Sequence, residues 1–335
     1  MRRFCVPKER SEKGMRIWGI LFLISILFIT LPQSGMTKDY PTKAITLFSP
    51  YGVGGPVDIT ARSLAEIAKD IFGQPVIVID KPGGGGIIAQ SIVAKEKPDG
   101  YNLAITSNIA FVQIPQMREV AFDPLKDFDF IIEHMTQVGG IVCKSDSPWK
   151  SMKELVAYSK QNPGKVTYGA PGTGGASHIG AEIIAAKEGV KWRMVPFDGS
   201  VKVVTALLGK HVDLAICDLI PWKGHVKTGE LRILAIEGMG KGEDFPNATT
   251  FEALGYETTV GASFGIVAPQ GTPPEIIKKL HDSFKKAIED PRYEATCKKL
   301  GTFKTYASGE EFFKKIKKEY EVRGKILREL GLAKK

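Results

Sequence analysis

The chain has 335 residues, 43% hydrophobic and 25% charged, which is ample material for a packed core and excludes wholesale disorder. Four cysteines without a Cys-x-x-Cys pair argue against a disulfide scaffold or a zinc ribbon. The formal charge of +9 invites a nucleic-acid reading, but residues 1–36 hold six basic and two acidic residues, leaving 40 basic against 35 acidic elsewhere. Near the C-terminus the signs alternate, with Lys314, Lys315, Lys317 and Lys318 among Glu310, Glu311, Glu319 and Glu321, and no aromatic platform is interleaved. That is the pattern of a solvated helix face, so no nucleic-acid partner is expected.

Residues 1–36 read as a signal peptide. A basic stretch ending at Arg16 precedes 15 uncharged residues at 17–31, and Pro32, Gln33, Ser34 and Gly35 follow as a breaker and small-residue region. Cleavage near Ser34 or Gly35 is the favoured outcome; the apolar run is short for a membrane span, and a retained N-terminal anchor is the alternative. Cys5 precedes the run and is therefore no lipid-attachment cysteine. Export leaves Cys143, Cys217 and Cys297, which read as small buried hydrophobes without a disulfide.

From residue 40 onward, β-rich runs alternate with amphipathic helices. A strand over 44–48 leads through Pro50-Tyr51-Gly52-Val53-Gly54-Gly55-Pro56-Val57-Asp58 into a helix with Ala61, Leu64, Ala65, Ala68, Ile71 and Phe72 on one stripe. Pro56 suits a first helical turn, and Asp58 can accept orphan amides there. Bare glycine amides at a helix start also suit an anion, so this loop is either a ligand cradle or a tight turn. A strand at 76–80 opens onto Pro82-Gly83-Gly84-Gly85-Gly86, read as a close-packed turn with a phosphate cradle as the alternative. Strands follow at 102–106 and 165–168, with a helix at 151–160 between them. Then comes Gly169-Ala170-Pro171-Gly172-Thr173-Gly174-Gly175-Ala176-Ser177-His178, where Thr173, Ser177 and His178 add donors to an amide-lined nest. It lacks the Gly-Lys-Ser/Thr of a P-loop. Helices at 176–188 and 201–208 alternate with strands at 193–197, 212–217 and 231–236, and helices at 274–289 and 309–330 close the chain.

This alternation is α/β: parallel sheets covered by helices on both faces. Extended, glycine-containing stretches at 131–142 and 261–269 suggest that the chain leaves a first domain, builds a second and returns. The expected boundaries are 40–138 for domain 1, 139–262 for domain 2, and 263–335 for the remainder of domain 1. No internal repeat is evident. Catalytic readings find little support. Ser177 and His178 are sequence neighbours, Gly175-Ala176-Ser177-His178-Ile179 lacks the second glycine of a nucleophile elbow, and His134, His211, His225 and His281 have no metal-ligand spacing.

An ordered series of short motifs then resembles the solute-binding receptors of tripartite tricarboxylate transporters. It runs from Tyr40-Pro41-Thr42-Lys43 and Pro50-x-x-x-Gly54-Gly55-x-x-Asp58 through Gly73-Gln74-Pro75-Val76, Pro98-Asp99-Gly100-Tyr101 and Asp123-Pro124-Leu125-Lys126-Asp127-Phe128. It continues with Asn162-Pro163-Gly164-Lys165, the 172–178 loop, Pro196-Phe197-x-Gly199, Gly209-x-x-x-Asp213 and Ala268-Pro269-x-Gly271-Thr272-Pro273.

The resemblance implies a periplasmic binding protein of the type II-like, two-domain kind, each domain a mainly parallel sheet flanked by helices, with a ligand cleft between. Such a receptor closes on a small carboxylate (a tricarboxylate, dicarboxylate, amino acid or aromatic acid) and delivers it to the large and small membrane subunits of the transporter, with no cofactor or metal. Carried over by position, Tyr51, Gly54, Gly55 and Asp58 hold one end of the ligand, and Ser107 and Asn108 line the same wall. Thr173, Gly174, Ser177, His178 and Phe197 face them, with Asp218 after another strand. Asp198, Asp80 and Pro56-Val57 depart from the family's usual residues. If Asp198 and Asp218 line the cleft, a zwitterionic or singly charged acid is as well accommodated as a tricarboxylate. The competing expectation is an exported α/β enzyme acting on a carboxylated or phosphorylated small molecule.

Overall fold

The structure, a computed structural model, describes residues 40–242, 244–258 and 260–334. The expected signal peptide at 1–36 lies outside the described residues. Strands β1 (Ile45–Ser49), β2 (Val76–Asp80) and β3 (Asn102–Ser107) alternate with helices α1 (Pro56–Phe72) and α2 (Ile87–Val93). A π-helical turn at Ile109–Gln113 and a short α3 (Ile114–Met117) lead to β4 (Phe128–Gln137). The next stretch holds β5 (Gly139–Lys144), α4 (Met152–Gln161), β6 (Thr167–Pro171), α5 (Ala176–Glu188), β7 (Arg193–Phe197) and α6 (Ser200–Leu208). It continues with β8 (Leu214–Asp218), α7 (Ile220–Lys227), β9 (Leu231–Ile236) and α8 (Gly238–Lys241). The chain returns as β10 (Ala262–Pro269), α9 (Pro274–Glu289), α10 (Pro291–Leu300), β11 (Phe303–Ser308) and α11 (Gly309–Glu329).

Two sheets result, in the orders β11-β4-β10-β3-β1-β2 and β7-β6-β8-β5-β9. The parallel arrangement expected from strand–helix alternation holds where a helix connects neighbours, in β2-β1-β3 and β7-β6-β8. It does not hold throughout, and "mainly parallel" needs correcting to mixed. Strand β10 runs antiparallel to β3 and β4, β11 to β4, and β5 to β8 and β9. The reason is the route: strands that enter a sheet from a direct crossing have no covering helix to reverse them.

The crossings lie at 137–139 and 260–262, and they touch backbone to backbone. A Cβ on Gly261 would collide with Gln137 O, so only glycine permits this approach. Each half has its own core. In the first, Phe111, Phe122, Phe128, Phe130 and Phe312 stack at edge-on and tilted angles on one sheet face, Phe111 and Phe128 at 4.9 Å. Each such ring, buried, contributes on the order of 1.5–3 kcal/mol. In the second, Trp149, Leu155, Tyr168, Ile184 and Trp192 belong to one cluster, and Val203, Leu207, Trp222 and Ile236 to another. Helix α11 starts at a capping box, Ser308 Oγ accepting from Glu311 N at 3.3 Å and Glu311 Oε2 from Ser308 N at 2.8 Å. It packs on the π-helical turn, β4 and α5, so it touches both halves.

Candidate functional site

Both halves present a glycine-rich turn between a strand and a helix start. In the first half, Gly54 takes a left-handed φ of 84° and Gly55 is the N-cap of α1. Asp58, buried in the first turn, accepts the Gly54 amide on Oδ2 at 2.8 Å. Its Oδ1 lies 2.6 Å from Arg62 Nε, and Arg62 reaches on to Asp80 Oδ2 at 2.6 Å. The unusual Asp80 thus shares a cation with Asp58. Tyr51 packs edge-on against Phe264 at 6.2 Å. Burial raises the pKa of its phenol, against a hydrogen bond with the Ser107 side chain. A Cβ on Gly86 would stand 3.3 Å from the Tyr51 hydroxyl, so the four-glycine turn lies beside this wall.

The second half repeats the device with different chemistry. Gly174 takes a φ of 77°, and Gly175 is the N-cap of α5. Here the amide of Gly174 is accepted by His178 Nδ1 at 2.9 Å, so the ring's proton resides on Nε2. Burial lowers the His178 pKa and keeps it neutral. No side chain caps the N-terminus of α5 and no acid lies in its first turn, while Gly172 and Thr173 are exposed beside it. Phe197 supports the loop, its carbonyl accepting Gly172 N at 3.0 Å. A Cβ on Gly174 would collide with Met117 of α3, so the loop of one half rests against the other.

The remaining expected residues are placed as follows. Ser107 Oγ accepts the Ala110 amide at 3.2 Å at the entry to the π-helical turn. Asn108 is committed at both ends of its amide, donating to Glu319 Oε2 at 3.2 Å and accepting Ser263 N at 3.4 Å. The Ser177 hydroxyl donates to Val260 O at 2.8 Å, on the second crossing. Ser177 and His178 therefore share no hydrogen bond that would make a nucleophile and base. Asp198 is 95% exposed in its side chain and pairs with Lys202 at 3.0 Å, apart from the others. Asp218 accepts Ser200 Oγ at 2.7 Å, and burial raises its pKa against that bond. Among the described residues, no group of three or more His, Cys, Asp or Glu side chains is arranged to hold a metal ion.

One relation escaped sequence reading. Gly52-Val53-Gly54-Gly55-Pro56-Val57-Asp58 and Gly172-Thr173-Gly174-Gly175-Ala176-Ser177-His178 share the pattern Gly-x-Gly-Gly-x-x-acceptor, a short repeat in the two halves. The signal was present, but an Asp and a His do not look alike until both are seen accepting the same amide.

Two sheet-bearing halves, joined by paired crossings and each carrying a glycine-lined helix start, have the architecture of a two-domain periplasmic binding protein. The TctC solute binding protein from Polaromonas, solved without ligand, superposes with a TM-score of 0.81 at 26% identity, over 87% of this chain and 99% of its own. Residues 60–332 match the tripartite tricarboxylate transporter family receptor, TctC, and the chain belongs to that family. The UPF0065 protein in the gbd 5' region of Cupriavidus necator is 37% identical over 304 residues, 91% of this chain and 92% of that one. An R. palustris protein solved with adipate superposes with a TM-score of 0.66 at 26% identity, over 88% of this chain and 99% of its own. Among the described residues, no helix is long and apolar enough to cross a membrane.

Proposed function

We propose that this receptor captures a small carboxylate in the periplasm between two lobes, 40–138 with 263–335 and 139–262, and hands it to the membrane subunits of a tripartite tricarboxylate-type transporter without chemical change. The observation that carries the reading is the uncapped, acid-free N-terminus of α5 beside exposed Gly172 and Thr173. Its free amides and the positive end of the helix dipole suit a carboxylate, each amide contact to a charged group contributing roughly 1.5–3 kcal/mol.

The first loop plays a different part in the same capture. Asp58 already supplies an anion to the start of α1, so Tyr51, Gly54 and Gly55 shape and enclose the ligand while Ser107 supports Tyr51. Asn108 and Ser177 fix the walls through the second crossing, and Phe197 supports the binding loop. The relative that holds adipate favours an acid with one or two carboxylates.

The test is a thermal-shift screen of mono-, di- and tricarboxylates and amino acids on the exported protein, with each acid assayed for recovery unchanged. A bound acid at a hundred times its Kd adds about 2.7 kcal/mol and is recovered intact. Turnover of the stabilising acid, or no stabilisation by any acid, overturns the proposal.

A further inference from the structure

One buried residue holds both crossings at once, the second with its side chain and the first with its backbone. Glu237 follows β9 directly and is 5% exposed. Its Oε1 accepts the amides of Val260 at 2.8 Å and Gly261 at 2.6 Å, on the second crossing. Its own N–H donates to Gly139 O at 3.1 Å, on the first crossing. From there the connection runs outward. Val260 O accepts the Ser177 hydroxyl at 2.8 Å, tying the crossing to the first turn of α5. Two residues after Gly261, Ser263 N donates to Asn108 Oδ1 at 3.4 Å, tying it to the end of β3.

A neutral acceptor could satisfy the same amides without the cost of burying a charge. We propose that Glu237 is the positioning residue of the hinge, and that gain or loss of its proton changes how the two lobes sit.

Burial outweighs the pull of nearby Arg323 on its charge. On α11, Arg323 is 2% exposed and is itself paired with Glu319 at 3.1 Å. After β9, Glu252 Oε1 accepts Gly238 N at 3.4 Å. On α5, His178 is neutral; on β4, Glu133 is answered by Lys315 at 2.9 Å. Arg323, Glu319, Lys315 and Glu252 line a common cavity of about 390 Å³, which places solvent-sized space near the crossing. Burial raises the Glu237 pKa to about 7, against the pull of the Gly261, Val260 and Gly139 amides and of Arg323.

A solvated glutamate titrates near 4.3. The described arrangement therefore holds the proton more tightly than any arrangement in which water reaches Glu237. Its advantage is full below about pH 4.3 and is lost as pH rises through about 7. One such proton corresponds to roughly a thirtyfold change in the opening equilibrium between pH 5.5 and 8.5.

This inference rests on the carboxylate-capture reading only for its biological use, and its test needs no ligand. Hydrogen exchange is followed by mass spectrometry in peptides spanning 137–144 and 258–264 of the exported protein at pH 5.5 and 8.5, corrected for intrinsic exchange. Wild type should lose protection at both crossings by roughly thirtyfold at the higher pH. Glu237→Gln keeps an oxygen for the amides but no titration, and should be flat across the range; Glu237→Ala should be poorly protected at both pH values. No pH dependence in wild type, or the same dependence in Glu237→Gln, overturns the proposal. Failure of every acid to bind would overturn the capture reading while leaving this result standing.

Discussion

The two glycine loops are built alike and charged differently. Each places a left-handed glycine before a glycine N-cap and has a side chain four residues on accept the first glycine's amide: Asp58 for Gly54, His178 for Gly174. The backbone is thus prepared twice by the same geometry. The acceptor decides the charge at each helix start: a carboxylate at the start of α1 answers the dipole from within, while a neutral imidazole at the start of α5 does not. Pseudo-symmetric scaffolding need not imply symmetric binding.

The largest effect that would test this difference comes from blocking the two approaches. A Cβ at Gly55 or Gly175 would meet Gly52 O at 3.6 Å or Pro171 O at 3.0 Å, so both valine variants are expected to fold, the second after a small adjustment. Gly175→Val should weaken binding of the best acid at least a hundredfold, with the loss of about two charge-assisted amide contacts. Gly55→Val should cost about tenfold. Calorimetric titration giving equal losses would remove the asymmetry.

A smaller effect follows from making the loops match. His178→Asp keeps an acceptor for Gly174 N but adds an anion where the ligand's carboxylate should lie. It should weaken binding by about 1–2 kcal/mol, or roughly five- to thirtyfold, while His178→Asn stays near wild type. Equal affinity in the two variants would show that the charge at this position is irrelevant.

The smallest effect concerns acid. His178 has its pKa lowered by burial, so the stability it contributes is present above the unfolded value near 6.5 and is lost as pH falls through the folded value. Protonation at Nδ1 would break the bond from Gly174 N. Corrected exchange of the Gly174 amide should therefore quicken on acidification from pH 6.5 to 5 while that of Gly54 stays slow. Parallel behaviour of the two amides would count against different acceptors controlling them.

Much of the local structure was legible because it is local. The stripe of Ala61, Leu64, Ala65 and Ala68 and the β-branched run at 76–80 read directly as α1 and β2, and Gly-Gly-Pro marked the start of α1. Strand β11 was missed, since Phe303-Lys304-Thr305-Tyr306-Ala307-Ser308 is only half-buried and shows no clean alternation. Sheet order was out of reach for a different reason: β10 finds its place between β3 and β4 through contacts more than a hundred residues distant. The site divides the same way. Gly54, Gly55, Gly174 and Gly175 announced themselves by composition, but the partner of Ser177 is 83 residues away. Glu237, alone in an apolar stretch, carries no motif.

The route of the chain also sets an order of assembly. All five strands of the second sheet lie between residues 139 and 236, so that half can complete itself as soon as its own segment is available. The first sheet cannot. Among the described residues its ten-residue β4 pairs only with β10 and β11, which begin at Ala262 and Phe303. Until the last seventy or so residues arrive, β4 is an apolar strand with both edges open, the kind of surface that aggregates during slow, non-local folding. For a chain synthesised from its N-terminus, the period of greatest risk is the wait for its own C-terminus.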